Sequence, residues 1–198
     1  MSDHASHETT GKSGRTERDD EARLVARIQS GEPEAFESLF REHAAPLATL
    51  AYTLLQSRDD AEDVVQSLFV WLWANRHSFN PEHGVRAYLF GAVRKRSLNR
   101  LRDTSTHDRA LRELSTQTVA EVPPADAALE ASQLRAIVEQ SVATMPPRCR
   151  EVFTLVRTSR LSHAEVAAIL GIAPKTVEVH MGRALAILRT RLGPHFER

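Results

Sequence analysis

The sequence predicts an all-α fold: two small helical domains joined by a flexible linker, the second ending in a helix-turn-helix. Three observations carry this reading. Apolar residues recur at helical spacing through long stretches rich in Ala, Leu, Arg and Glu. Strand-like alternation is scarce, and aromatics make up only 6% of the 198 residues. Between Asp103 and Ala131 the helical pattern gives way to Ser/Thr clusters, Pro123-Pro124 and an excess of acids. The expected layout is a disordered tail over 1–20, a helical domain over 21–102, an acidic linker over 103–131 and a second helical domain over 132–198.

The first twenty residues are polar and charged, too poor in apolar side chains to bury a core. A helix is then expected over Glu21–Ser30, with Leu24, Val25 and Ile28 on one face, stopped by Gly31. Pro33 opens the next helix, in which Phe36, Leu39 and Phe40 face inward. Pro46 predicts a kink or short break near Ala45, beyond which Leu47, Leu50, Ala51, Leu54 and Leu55 continue the stripe.

Ser57 or Arg58 precedes a third helix whose first turns hold Asp59, Asp60, Glu62 and Asp63, where negative charge suits the helix dipole. Val64, Val65, Leu68, Phe69, Leu72 and Trp73 give it a wide apolar surface. By spacing alone, a core helix with an acidic start and a partner-binding helix fit equally. Phe79-Asn80-Pro81-Glu82-His83-Gly84 reads as a loop. The helix after it carries Arg86, Arg94, Lys95, Arg96, Arg100 and Arg102 with no acid between residues 86 and 102, and Tyr88 and Phe90 are interleaved. Such a loop and basic helix suit single-stranded DNA, where bases stack on rings and cations track phosphates. A solvated basic face with core aromatics has the same composition.

A helical turn is expected near Arg109–Leu114 inside the linker. From Ser132 a helix runs to about Thr144 (Leu134, Ile137, Val138, Val142), Pro146-Pro147 breaks the chain, and Arg148–Thr158 is helical again. In Leu161–Leu192, Ser162 and Glu165 form a capping box. Val166, Ala167 and Leu170 make an apolar face, and Gly171 supplies the left-handed turn. Pro174 starts a helix lined by Val177, Met181, Leu185, Leu188 and Leu192. This is the helix-turn-helix pattern, whose second helix enters the DNA major groove. Lys175, Thr176, Glu178, Val179, His180 and Arg183 fall off its apolar face as candidate base and phosphate contacts. Capping box, glycine turn and proline start in register favour DNA binding over an ordinary helical hairpin. Gly193-Pro194 is expected to end the fold.

Net charge is zero but unevenly spread: −3 over residues 1–22, +2 over 23–102, −4 over 103–131 and +5 over 132–198. Two basic modules alternate with acidic segments, the pattern expected of two nucleic-acid-facing units whose cations the tail and linker offset in the intact chain. The single cysteine, Cys149, allows no disulfide framework, and a cytosolic setting fits. No apolar run reaches membrane-span length, and no signal-peptide core is present. The nine histidines form no ligand-spaced cluster with cysteine, so no metal and no cofactor are expected. No nucleophile–base set or phosphate loop supports a catalytic residue or an enzyme.

Five stretches in this order, GEPEAFESLFREHAAPL, DDAEDVVQSLFVWLW, FNPEHGVRAYLFGAVRKRSLNRLR, MPPRCREVFTLV and SHAEVAAILGIAPKTVEVHMGRAL, resemble the extracytoplasmic-function sigma factors, the minimal members of the housekeeping sigma family. The resemblance covers residues 22–192. It implies that the acidic helix binds the clamp of RNA polymerase core through Asp60, Glu62, Asp63, Gln66 and Phe69. It further implies that Asn80, Pro81, Glu82, His83, Arg86, Tyr88, Arg94 and Lys95 recognise and open the minus-ten promoter element, and that residues 132–192 read the minus-thirty-five element. It implies an anti-sigma factor as a further partner. Tyr88 stands where the family often has Trp, and Lys95 where it often has Asn, placing a charge in the position of an amide. The alternative is a free-standing helix-turn-helix regulator, which leaves the acidic-then-basic first domain without a role.

Overall fold

The computed structural model describes residues 9–111 and 137–196, with side-chain surroundings for 19–103 and 137–193. Every regular element among them is helical: α1 (Thr9–Gln29), α2 (Pro33–Leu55), α3 (Arg58–Ala74), a 3₁₀ turn (Arg76–Ser78), α4 (Val85–Leu111), α5 (137–143), α6 (Pro147–Arg157), α7 (His163–Leu170) and α8 (Pro174–Phe196).

The starts and stops are those that local chemistry favours. Gly31 turns the chain at φ +84° between α1 and α2. Ser57 caps α3 by accepting from the Asp60 N–H at 3.3 Å. Pro147 occupies the first turn of α6. At α7 both halves of the capping box form: the Ser162 Oγ accepts from Glu165 N–H, and the Glu165 carboxylate accepts from Ser162 N–H at 2.7 Å. Gly171, at φ 65°, closes α7.

Four expectations are corrected. α1 begins at Thr9 rather than near Glu21, so residues 9–20 continue the helix; no proline interrupts them, and Gly11 and Gly14, though weak helix formers, do not end it. α2 runs unbroken through Pro46. The ring removes one N–H, but Leu39 and His43 before it and Leu47, Leu50 and Ala51 after it are all buried, and that continuous stripe outweighs one lost bond. α4 extends to Leu111, nine residues into the expected linker. α8 passes Gly193-Pro194 and runs to Phe196: Pro194 falls in the last turn, where it forfeits only its own bond to the carbonyl four residues earlier. The linker from Arg112 to Ala131, with the Ser132 start of the next helix, and residues 1–8 lie outside the described residues.

α2 is the hub of the first domain and packs on α3 and α4, while α6, α7 and α8 form the second. The two are joined. α2 packs on α6 and α4 on α7, and one apolar core runs from Leu39, Leu47, Leu50 and Phe90 into Val152, Leu155, Leu161 and Val166. Each fully buried side chain of this size contributes about 1.5–3 kcal/mol. A smaller cluster, Met145, Cys149, Ala184 and Leu188, holds α6 to α8.

His43 sits on the domain boundary. It shares a small cavity with Arg86, Thr158, Ser159 and Arg160 and lies 3.8 Å from the Glu42 carboxylate. Burial, the largest cause, pushes its imidazole below the usual 6.5, and Arg86 acts in the same direction against Glu42 and Glu21. With the folded value depressed, the unfolded chain binds more protons below pH 6.5, so stability falls as pH drops through that value. Thermal melts should show Tm falling between pH 6.5 and 5, and His43→Gln should flatten that slope relative to the unsubstituted chain.

Candidate functional site

α8 presents an outward stripe at i, i+4, i+8: Lys175, Val179 and Arg183, with Thr176 and Glu178 beside it. All five are exposed because Val177, Met181 and Ala184 take the inward positions. Lys175 Nζ donates to Glu178 at 2.6 Å, an exposed pair that raises the lysine pKa and lowers the carboxyl. His180 departs from expectation. It is half-buried, its Nδ1 3.4 Å from the Cys149 sulfur on α6, so it braces the recognition helix against its neighbour. The first domain packs on α6 and α7, and this stripe stays open.

The loop after the 3₁₀ turn exposes Asn80, Glu82 and His83, with Pro81 half-buried. It forms one wall of a cleft of about 1060 Å³ whose other walls are Glu21, Ala22, Val25, Ala26 and Gln29 of α1 and Ala164, Glu165 and Ala168 of α7. Along α4, Lys95 is exposed, and Arg86 lies 3.8 Å from Glu42. Two aromatics are not free rings: Phe90 is a core residue, and Tyr88 is half-buried edge-on to Phe79, centroids 5.3 Å apart.

Arg94 is the largest correction. Its side chain is 18% exposed, and its Nε donates at 2.6 Å to Glu151 of α6, which is 6% exposed. Arg148 completes the cluster at 2.6 Å from the other Glu151 oxygen. A residue expected to face DNA is therefore held by the second domain. Glu151 was not legible as its partner, because 57 residues separate the two.

On α3, Glu62, Asp63 and Gln66 are exposed. Asp60 is half-buried and paired with Arg100 of α4, with Asp63 3.5 Å from the same guanidinium. Asp60 thus ties α3 to α4. Phe69 is corrected too. It is 3% exposed, edge-on to Phe36 and Phe40 at centroid distances of 5.9 and 4.8 Å, so it supports the face from beneath. Val70, which the sequence reading passed over, is 71% exposed and extends Asp63 and Gln66 at i+7 and i+4. Trp71 is also exposed, with Arg96 over its ring at 5.5 Å. Nothing in the continuous run LFVWLW marks which side chains turn outward.

Among the described residues no helix is long and apolar enough to cross a membrane, and no group of His, Cys, Asp and Glu has the arrangement of a metal site.

Residues 39–106 match the family described as Sigma-70 region 2, and residues 135–188 match Sigma-70, region 4. The chain is 30% identical over 186 residues to RNA polymerase sigma factor CnrH of Cupriavidus metallidurans, covering 88% of this chain and 95% of that protein. It is 31% identical over 183 residues to the ECF RNA polymerase sigma factor SigM of Mycobacterium tuberculosis, covering 92% and 89%. Among solved structures, CnrH in complex with the cytosolic domain of CnrY superposes with a TM-score of 0.60 at 28% identity, covering 88% of this chain and 97% of that one. The sigma factor RpoE of Bartonella quintana, in complex with the anti-sigma factor NepR, shares the fold with a TM-score of 0.63 at 24% identity, covering 80% and 96%.

If the outward stripe of α8 reads DNA, Arg183→Ala should weaken binding to duplex promoter DNA by about 1–3 kcal/mol in a sequence-dependent manner. Lys175→Ala should cost less, since its cation is already engaged by Glu178. Fluorescence-anisotropy titrations at two salt concentrations would separate base from phosphate contacts.

Proposed function

The chain belongs to the extracytoplasmic-function sigma factors of the sigma-70 family, and from that premise we propose how its parts divide the work of initiation. It is a promoter-recognising sigma factor of RNA polymerase. α3 docks on the polymerase core through Glu62, Asp63, Gln66 and Val70. The exposed acids give orientation, and Val70 adds apolar contact area. The loop Asn80–Gly84 and the start of α4 capture the opened minus-ten element, with Asn80, Glu82, His83, Arg86 and Lys95 facing the DNA. α8 reads the minus-thirty-five element through Lys175, Thr176, Val179 and Arg183. The protein carries out no catalysis itself, works in the cytoplasm, and has an anti-sigma factor as a further partner.

The single observation that carries this reading is the opposite exposure of the two DNA readers. α8 is open, whereas the basic α4 is partly covered by α6 and α7, with Arg94 locked on Glu151. The isolated chain therefore binds minus-ten DNA poorly, and core polymerase relieves this by setting the domains apart. Contact between the domains supports a geometric origin for that weakness over masking by the acidic linker.

Two measurements test the scheme. Asp63→Ala with Gln66→Ala should weaken core binding about tenfold in a pull-down titration while the helical circular-dichroism signal is unchanged; unaltered affinity would remove α3 from the interface. Glu151→Ala leaves the Arg94 cation buried without its partner, a change that costs about 3–5 kcal/mol in such pairs. The variant should therefore open, gaining at least about tenfold affinity for a single-stranded oligonucleotide in the absence of core. An oligonucleotide affinity equal to that of the unsubstituted chain would show that domain packing does not restrain the minus-ten reader.

A further inference from the structure

We infer that α1 is the positioning element of the minus-ten reader: Glu21 and Gln29 pin the two ends of the 79–85 loop and thereby set where its side chains meet an unstacked base. The inference rests on the reading of Asn80–Gly84 as the minus-ten loop and assigns the residues that hold it in place.

Both ends of the loop are tied to one helix. At the entry, the Gln29 side-chain amide donates to the Phe79 carbonyl at 2.8 Å, across 50 residues of sequence. At the exit, the Val85 N–H donates to the Glu21 carboxylate at 2.5 Å, across 64 residues. The chemistry at each end matches what the backbone offers. The first turn of α4 has N–H groups without helical partners and a positive dipole end, so it takes an acceptor, best an anionic one. The carbonyl of Phe79 takes a donor. Glu21, Val25 and Gln29 fall at i, i+4 and i+8 on a single stripe of α1, which spaces the two anchors by about 12 Å.

Between the anchors the loop is braced from within. Gly84 N–H donates to the Pro81 carbonyl at 3.0 Å and Glu82 N–H to the Asn80 carbonyl at 3.1 Å. Gly84 has φ +91°, a conformation that L side chains rarely adopt, and a Cβ there would lie 3.5 Å from the Glu21 carboxylate oxygens. The loop backbone is thus fixed while Asn80, Glu82 and His83 remain exposed. On the α1 side, Ala22 and Ala26 border the same cleft as these side chains, and their small size leaves room for a base against the helix. Recognition of a flipped base depends on hydrogen bonds to its edge, so a loop free to shift by an ångström loses discrimination before it loses affinity.

The test uses holoenzyme reconstituted from core polymerase and the full chain, with a single-stranded DNA pool randomised over six positions as the probe. Sequencing the bound fraction gives a base preference at each position. Asn80→Ala and His83→Ala identify the position that the loop reads. Glu21→Ala and Gln29→Ala should flatten preference at that same position by about fivefold, leaving the other positions and total binding little changed. Glu21→Gln, whose amide oxygen still accepts from Val85, should retain most of the preference. Gln29→Glu, which has the same size but no N–H to offer Phe79, should lose it. If the loop substitutions flatten one position and the α1 substitutions do not, the positioning role is wrong while the loop reading stands. If the α1 substitutions weaken binding equally across all positions, α1 is merely structural and the inference is overturned. If the loop substitutions alter no preference, both the loop reading and the inference built on it fall.

Discussion

A buried carboxylate organises the relation between the two domains. Glu151 is buried where α6 meets the first domain, next to the apolar side chains of the shared core, and a charge there is tolerated only with partners. Arg148 comes from its own helix, but Arg94 comes from α4 in the other domain. The acid therefore makes any misaligned packing of the domains costly, because only the approach that brings Arg94 to Glu151 leaves the buried charge fully paired. The apolar contacts around it, Leu39, Leu50 and Phe90 against Val152, Leu155 and Leu161, supply the non-directional attraction. The ion cluster fixes the orientation, since a salt bridge requires a defined approach where apolar packing does not.

That orientation has unequal consequences for the two DNA readers. The second domain meets the first with α6 and α7 and keeps the outer face of α8 in solvent. The first domain meets the second with α2 and α4, and α4 is its basic helix. Under the proposed division of work, opening frees the Arg94 side of α4 and the α7 side of the cleft beside the 79–85 loop, whereas the upstream reader on α8 needs no opening. Polymerase core is suited to drive the opening, because its proposed docking surface on α3, with Glu62, Asp63, Gln66 and Val70 outward, is exposed while the domains remain packed. Binding energy on one face can then be spent on separating the other.

Inside the first domain, the same economy of contacts recurs on a smaller scale. Arg100 ties α4 to α3 through Asp60, and α1 ties both ends of the 79–85 loop. Phe36 and Phe40 of α2 meet the buried Phe69 edge-on and hold α3 against α2, with Phe40 itself exposed at the rim. Each of these contacts fixes the position of an element for which DNA or polymerase binding is proposed, which is why side chains in these places are easily mistaken for binding residues.

The sequence by itself determined the helical class, most helix boundaries, the capping box at Ser162 and Glu165, the turn at Gly171 and the inward face of α8. These follow from local rules: periodicity, side-chain caps and backbone preferences act within a few residues, so they can be read along the chain. The tertiary structure decided which of the candidate residues are free. Phe69 and Phe90 went to the core, His180 to Cys149, Asp60 to Arg100 and Arg94 to Glu151. It also carried α2 through Pro46, because burial along the whole stripe exceeds the loss of one hydrogen bond. An arginine on a basic helix has the same local signature whether it meets a phosphate or a carboxylate 57 residues away. The difference is a long-range pairing set by how the domains pack, and nothing in the neighbouring sequence encodes it.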